Sequence, residues 1–189
     1  MPELMGTMAE PSAANLADFD AVVQLYRPAI FRYLLASLRD RDTAESLAQD
    51  CFMKAYRARD QFRGEASVKT WLMRIAVNLL RDYLSNARLK FWRRTQTACV
   101  DVTAAESWLA DRRSSPEEMA EARQRVAAVW SAVEELPQRQ RTVFLLRFVE
   151  DMDILEIVAA TGLREGTVKI HLFRALRSVR ARVGLREDV

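Results

Sequence analysis

The sequence predicts an all-α fold: two small helical domains joined by a flexible linker. Three observations carry this expectation. Apolar residues recur at helical spacing through most of the chain, no segment alternates convincingly as a half-buried strand does, and five glycines and five prolines spread over 189 residues are too few for a turn-rich β fold. The expected division is a flexible tail at 1–15, a first domain at 16–94, a linker at 95–115 where periodicity is lost, and a second domain at 116–186.

The elements follow in order. From Asp18, the residues Phe19, Val22, Val23, Tyr26, Ile30, Phe31, Leu34 and Leu38 make one apolar helical face, which stops at the charged run Arg39–Asp42. A second helix opens with Asp42 as N-cap and Glu45 three residues on, the pattern of a capping box. It buries Leu47, Cys51, Phe52, Ala55 and Tyr56 and turns Glu45, Ser46, Gln49 and Asp50 outward. The loop 60–67 leads to Ser67, an N-cap for a long helix whose buried stripe is Val68, Trp71, Leu72, Ile75, Ala76, Leu79 and Tyr83. Arg74, Asn78, Arg81, Ser85 and Arg88 recur at steps of four and three, so they share the exposed face. After the linker, Ser115-Pro116-Glu117-Glu118 announces a helix running through Val126, Val129, Trp130 and Val133 to Leu136, with Pro137 as its stop. A helix from Gln138 carries Val143, Phe144, Leu146 and Phe148, and a turn follows at Glu150-Asp151.

Residues 153–180 hold the strongest functional pattern. Asp153 and Glu156 form a second capping-box pattern on a short helix. Thr161-Gly162-Leu163 makes a tight turn in which glycine tolerates the left-handed backbone. A further helix begins near Glu165 behind Arg164, a poor cap, and packs Val168, Leu172, Ala175, Leu176 and Val179 inward. This is helix-turn-helix spacing. The second helix would present Thr167, Lys169, Ile170, His171, Phe173, Arg174 and Arg177 to a major groove, where lysine and arginine reach phosphates and arginine pairs two-pronged with guanine.

Charge is strongly segregated behind a formal net charge of +3. Residues 1–20 carry four acids and no base; 57–94 carry ten bases against three acids; 95–124 carry three bases against six acids; 164–182 carry six bases against Glu165 alone. Two basic blocks fit two phosphate-neutralising surfaces, although solvated helix faces give the same pattern. No run approaches the roughly 20 apolar residues of a membrane span, and the N-terminus has no secretory pattern. Cys51 and Cys99, with His171 as the sole histidine, make neither a disulfide framework nor a metal site. The expectation is a reduced, cytoplasmic protein without metal, cofactor or membrane insertion; pairing of the two cysteines stays open. Cys51, on a buried face, reads as a small hydrophobe.

The motifs carry a resemblance. Gly166-Thr167-Val168-Lys169 with Leu172, Arg174 and Ala175 resembles the signature of region 4.2 of sigma factors, and Leu136-Pro137 with Arg141, Val143, Phe144 and Leu146 resembles region 4.1. Ala44-Glu45 with Leu47, Gln49-Asp50 and Phe52 resembles region 2.2; Thr70-Trp71-Leu72 with Ile75-Ala76, Asn78 and Asp82 resembles regions 2.3–2.4. Four motifs in register over about residues 18–182 are similar to the extracytoplasmic-function (ECF) group of the sigma-70 family, in which regions 1 and 3 have no room.

The resemblance implies that Glu45, Gln49 and Asp50 dock on the clamp helices of the largest subunit of core RNA polymerase, and that the flap of the second-largest subunit is a further contact. It implies that the loop Phe62–Ser67, with Phe62, Arg63 and Ser67, captures a flipped base of the single-stranded −10 element, a step that costs a few kcal/mol. Lys69, Arg74, Asn78 and Arg81 would hold the strand backbone and adjacent duplex, and the helix-turn-helix would read the −35 duplex. The regulon would answer to stress or another signal. Many relatives are held by an anti-sigma factor that wedges against both domains, and the resemblance admits such a partner here. Several positions depart from the pattern: Ser46 replaces an aspartate of the docking surface, Ile170 and His171 replace a Ser-Arg pair, and Ser85-Asn86 stand where arginine is frequent. These departures bear on promoter sequence. His171, with an ordinary pKa near ~6.5, reads as a neutral phosphate contact or packing residue.

Two other readings compete. A stand-alone helix-turn-helix regulator explains 153–182 and leaves the patterns at 45–50 and 71–82 idle. An enzyme such as a small recombinase lacks a catalytic set: no Gly-rich phosphate loop, no plausibly framed Cys–His pair and no metal cluster appear in the sequence.

Overall fold

A computed structural model describes residues 16, 18–93 and 116–184, with side chains described at 16, 18–86 and 122–184. Seven helices and a short 3-10 turn make up the described residues, with no strand among them. They are α1 (Phe19–Leu38), α2 (Arg41–Ala58), the 3-10 turn (Arg59–Gln61), α3 (Val68–Arg93), α4 (Pro116–Glu134), α5 (Gln138–Phe148), α6 (Ile154–Thr161) and α7 (Glu165–Val183). The expected tail at 1–15, linker at 95–115, N-cap at Ser115 and last residues of the second domain lie outside the described residues, as does the side chain of Arg88.

The first bundle is α1, α2 and α3, each in contact with the other two. Asp18 caps α1 by accepting the Ala21 amide at 3.1 Å, and the helix runs through Pro28, whose ring leaves one backbone bond unmade. Arg39 ends it in the left-handed region at φ 58°, its amide bonded to the Leu35 carbonyl. The next helix starts two residues earlier than its sequence pattern implies. Asp40, not Asp42, is the cap, accepting from the amides of Asp42 and Thr43 and from the Thr43 hydroxyl. An aspartate at each position made the choice ambiguous; the left-handed turn at Arg39 brings Asp40 to the helix end. Glu45 is therefore outside a capping box. Ser67 caps α3 as expected, accepting the Thr70 amide at 3.1 Å.

Between these helices lie Ile30, Tyr33, Leu34, Ala48, Cys51, Val68, Leu72, Met73 and Ala76, all almost fully buried. Burying a large apolar side chain of this kind contributes about 1.5–3 kcal/mol. Two expected core residues sit outside: Tyr56 is 48% exposed and lies edge-on to Phe19, and Tyr83 is 38% exposed. Both occupy the boundary of an apolar stripe, where a tyrosine keeps its hydroxyl in water.

The second bundle packs α7 against α4, α5 and α6 around Val133, Val143, Leu145, Leu146, Met152, Ile157, Val168 and Ala175. Arg141 ties its base. Its guanidinium donates to the carbonyls of Val133 in the last turn of α4 (3.2 Å), of Leu136 just beyond it (3.5 Å) and of Ser37 in α1 (3.3 Å). The two bundles also meet directly, α1 against α5 and α3 against α6.

Candidate nucleic-acid interface

The helix-turn-helix forms as its sequence pattern implies. Asp153 accepts the Glu156 amide and Glu156 accepts the Asp153 amide, both at 2.8 Å, closing a capping box on α6. Gly162 ends α6 at φ 71°, and Arg164 stands at the N-cap of α7 without a side-chain cap bond. Packing of Val168, Leu172, Ala175 and Val179 into the bundle fixes the rotation of α7 and thereby the face it turns outward.

That face is basic with an apolar centre. Lys169, Ile170, Phe173, Arg174 and Arg177 are exposed, Ile170 by 52% and Phe173 by 65%; Thr167 and His171 are half-buried. Lys169 pairs with Glu165 one turn earlier at 2.6 Å, which lowers its free charge in the absence of a ligand. Burial, followed by the neighbouring Arg139 and Arg174 cations, holds the His171 imidazole below its ordinary pKa. It is thus neutral near pH 7, and its Nδ1 is buried without a hydrogen-bond partner. Arg139 went unnoticed in the sequence: its helix, α5, carries no groove-facing pattern, and only folding brings it beside His171.

The second basic surface begins at the loop after the 3-10 turn. Phe62 packs on Trp71 with ring centroids 5.1 Å apart, Gly64 takes φ 71°, and Arg63 lies exposed within 4.0 Å of Glu65. Along α3, Arg74 and Arg81 are exposed and Asn78 is half-buried; Arg81 lies 3.7 Å from Asp82. Ser67 is occupied as a cap. Lys69 does not face solvent with them. Its Nζ donates to the Glu150 carbonyl of the second bundle at 2.6 Å, while the hydroxyl of buried Thr70 bonds Glu156 Oε1 at 3.2 Å. These partners lie 81 and 86 residues away, beyond the reach of local pattern.

On α2, Gln49 and Asp50 are exposed, and Glu45 is paired with Arg27 of α1. Arg27 too was missed; nothing in its local sequence singles it out. Among the described residues no cluster of His, Cys, Asp or Glu could hold a metal ion, and no helix is long and apolar enough to cross a membrane.

A basic recognition helix in a helix-turn-helix, joined in one chain to a second helical bundle with its own basic helix, defines a two-module DNA-binding protein. The Sigma-70 region 2 family matches residues 22–90, and the Sigma-70 region 4 family matches 127–179. The chain is 31% identical over 165 residues to the RNA polymerase sigma-H factor of Pseudomonas aeruginosa, covering 85% of this chain and 83% of that one. It is 32% identical over 157 residues to the ECF RNA polymerase sigma-E factor of Escherichia coli K12, covering 79% and 80%. Among solved structures, the sigma factor RpoE in complex with the anti-sigma factor NepR from Bartonella quintana matches with TM-score 0.72 at 21% identity, covering 90% of this chain and 99% of that one. CnrH in complex with the cytosolic domain of CnrY matches with TM-score 0.61 at 24% identity, covering 89% and 90%. The chain belongs to the sigma-70 family, as an RNA polymerase sigma factor of the ECF type. That family is not known as one of enzymes.

Proposed function

We propose that this sigma factor divides promoter recognition between its two basic surfaces, and that it serves a stress- or signal-responsive regulon in the cytoplasm. The observation that carries the reading is the outward face of α7, where Lys169, Arg174 and Arg177 surround exposed Ile170 and Phe173 while the opposite side of the helix is core. Arg174 takes a guanine edge of the −35 element; Lys169 and Arg177 take phosphates; Ile170 contacts a thymine methyl. Arg63, Arg74, Asn78 and Arg81 hold the −10 strand, with Phe62 and Ser67 bounding the base pocket and Lys69 joining them once its bond to Glu150 is released. Glu45, Gln49 and Asp50 dock on core polymerase, Glu45 exchanging Arg27 for a polymerase cation. RpoE and CnrH were each solved with a second protein, in RpoE's case an anti-sigma factor, which supports a similar partner here.

In vitro transcription with core polymerase over a fragmented genomic template tests the reading. Transcripts that appear only with this protein and start downstream of a shared two-part sequence are the expected result. A stand-alone regulator would instead bind its duplex specifically without polymerase and start no transcript.

A further inference from the structure

The surfaces assigned to the −10 strand and to the −35 duplex are not independent in this fold, because the second bundle sits on the start of α3. Glu150, in the turn after α5, is the centre of the contact. Its side chain is wholly buried, and Arg32 of α1 grips the carboxylate two-pronged, Nε to Oε1 at 2.7 Å and Nη2 to Oε2 at 2.5 Å. The same residue's carbonyl takes the Lys69 ammonium. Around it, Thr70 bonds Glu156, Arg141 bonds the Ser37 carbonyl, and Arg39 pairs with Glu134 at 2.7 Å. Tyr33 of α1 is fully buried, its hydroxyl without a hydrogen-bond partner among the described residues, and burial holds its pKa well above the ordinary value.

Ion pairs and hydrogen bonds run along this interface, beside a hydrophobic core that is continuous across both bundles, and polar contacts of this kind mark domains that separate and rejoin. A buried carboxylate held by one guanidinium is stable only while both are present; losing one partner strands a charge away from water. The contact also occupies Lys69 and Thr70, which come just after the Phe62–Ser67 loop, beyond Val68.

We propose that Glu150, Arg32 and Lys69 form a self-latch: the turn at 149–153 takes the first bundle as its partner in the free chain and withholds Lys69 and Thr70 from the promoter strand until the bundles part. The proposal rests on the assignment of α3 to the −10 strand only for the identity of what is withheld; the latch itself is a property of the free chain.

The test uses the full chain in a Cys99→Ser background, with dyes at Gln24→Cys and Arg180→Cys to report separation of the bundles, and with acetylation of lysine amines by an N-hydroxysuccinimide ester read by mass spectrometry. In the free protein, Lys69 should react at least about tenfold more slowly than exposed Lys54, and energy transfer should be high. Arg32→Ala should lower the transfer and bring Lys69 to the rate of Lys54. Adding Glu150→Gln to Arg32→Ala should restore part of both, since the stranded charge is gone; an unfolded variant would not recover. As a second route, Glu134→Arg crowds Arg39 and Arg141 at the rim and should also open the contact, and Arg39→Glu should reclose it. Equal reactivity of Lys69 and Lys54 in the free chain, or unchanged transfer and Lys69 rate in both Arg32→Ala and Glu134→Arg, overturns the latch. Core polymerase should open the wild-type chain. If it leaves the dyes unmoved while the free-chain results hold, the assignment to polymerase fails and the latch stands.

Discussion

Arg141 gathers carbonyls from the end of α4, the turn just after it and α1. Burial lowers its pKa, with Glu134 opposing and Arg39 reinforcing the effect, yet its three bonds to Val133, Leu136 and Ser37 keep the cost of that burial matched. Arg141→Ala removes three bonds from a charged donor, and hydrogen bonds to charged groups are worth about 1.5–3 kcal/mol. A loss of about 2–3 kcal/mol in urea unfolding is expected, and a change below about 0.5 kcal/mol would contradict this role. Cys51 is the opposite case, a side chain legible from spacing alone. It is fully buried, bonds the Leu72 carbonyl at 3.5 Å, and burial pushes its thiol up to about 12, with Lys54 pulling it back slightly. In a Cys99→Ser background the native protein should therefore leave a disulfide reagent unreacted at pH 8, and release one equivalent of product only on unfolding. The partners of Arg141, by contrast, lie up to 104 residues away. Sequence spacing placed it in a motif and could not say what it held.

At the scale of the element, the helices and their faces were readable because helical periodicity is a local property. The α6 capping box, the left-handed Gly162 and the inward stripe of α7 all follow from residues within a few turns of one another. The ambiguity arose where two local signals competed, as with Asp40 and Asp42, and where a stripe ended on a tyrosine. The same periodicity divides α7 into residues that read sequence and residues that hold phosphate. Arg174→Ala should weaken the cognate promoter by about 1–3 kcal/mol more than one altered at the contacted base. Lys169→Ala should weaken both alike and lower the salt slope of binding by about 0.9, the share of one phosphate. Salt-dependent fluorescence anisotropy of the holoenzyme on the two promoters separates these outcomes. Equal losses for both variants on both promoters would assign Arg174 to the backbone. For α2, Asp50→Lys should abolish retention of core polymerase in a pull-down while leaving the thermal midpoint nearly unchanged, since Asp50 is exposed and lies away from the core.

The whole molecule is where sequence reasoning reached least far. It expected two domains and had no means of pairing Arg32 with Glu150 across 118 residues, so it placed Lys69 on the open DNA-binding face. The segment 94–115 reaches at most about 75 Å, long enough for the bundles to part completely, so nothing covalent holds them closed. The contact must then be held by its own interactions, and one of these titrates. Burial pushes the Glu150 carboxyl above its ordinary value of 4.5, and the charged groups facing it, Arg32 from α1 and Lys69 from α3, bring it only part of the way back. An opened chain returns this carboxyl to water and to its ordinary value. The closed form therefore binds the proton more tightly than the open form, and by linkage protonation favours closure. The extra stability is fully present below the ordinary glutamate value and is lost as pH rises through the closed-state value, so acidification should tighten the contact over the interval between them. Energy transfer between dyes on the two bundles should rise as pH is lowered from 7.5 towards 5, most visibly in Arg32→Ala, where the carboxylate has lost its main counter-charge. Glu150→Gln should flatten the response, because no proton remains to be taken up there. A pH response that persists unchanged in Glu150→Gln would assign the titration to another group, and a loss of transfer on acidification would mean that the Arg32 pair, not burial, sets the charge state of Glu150.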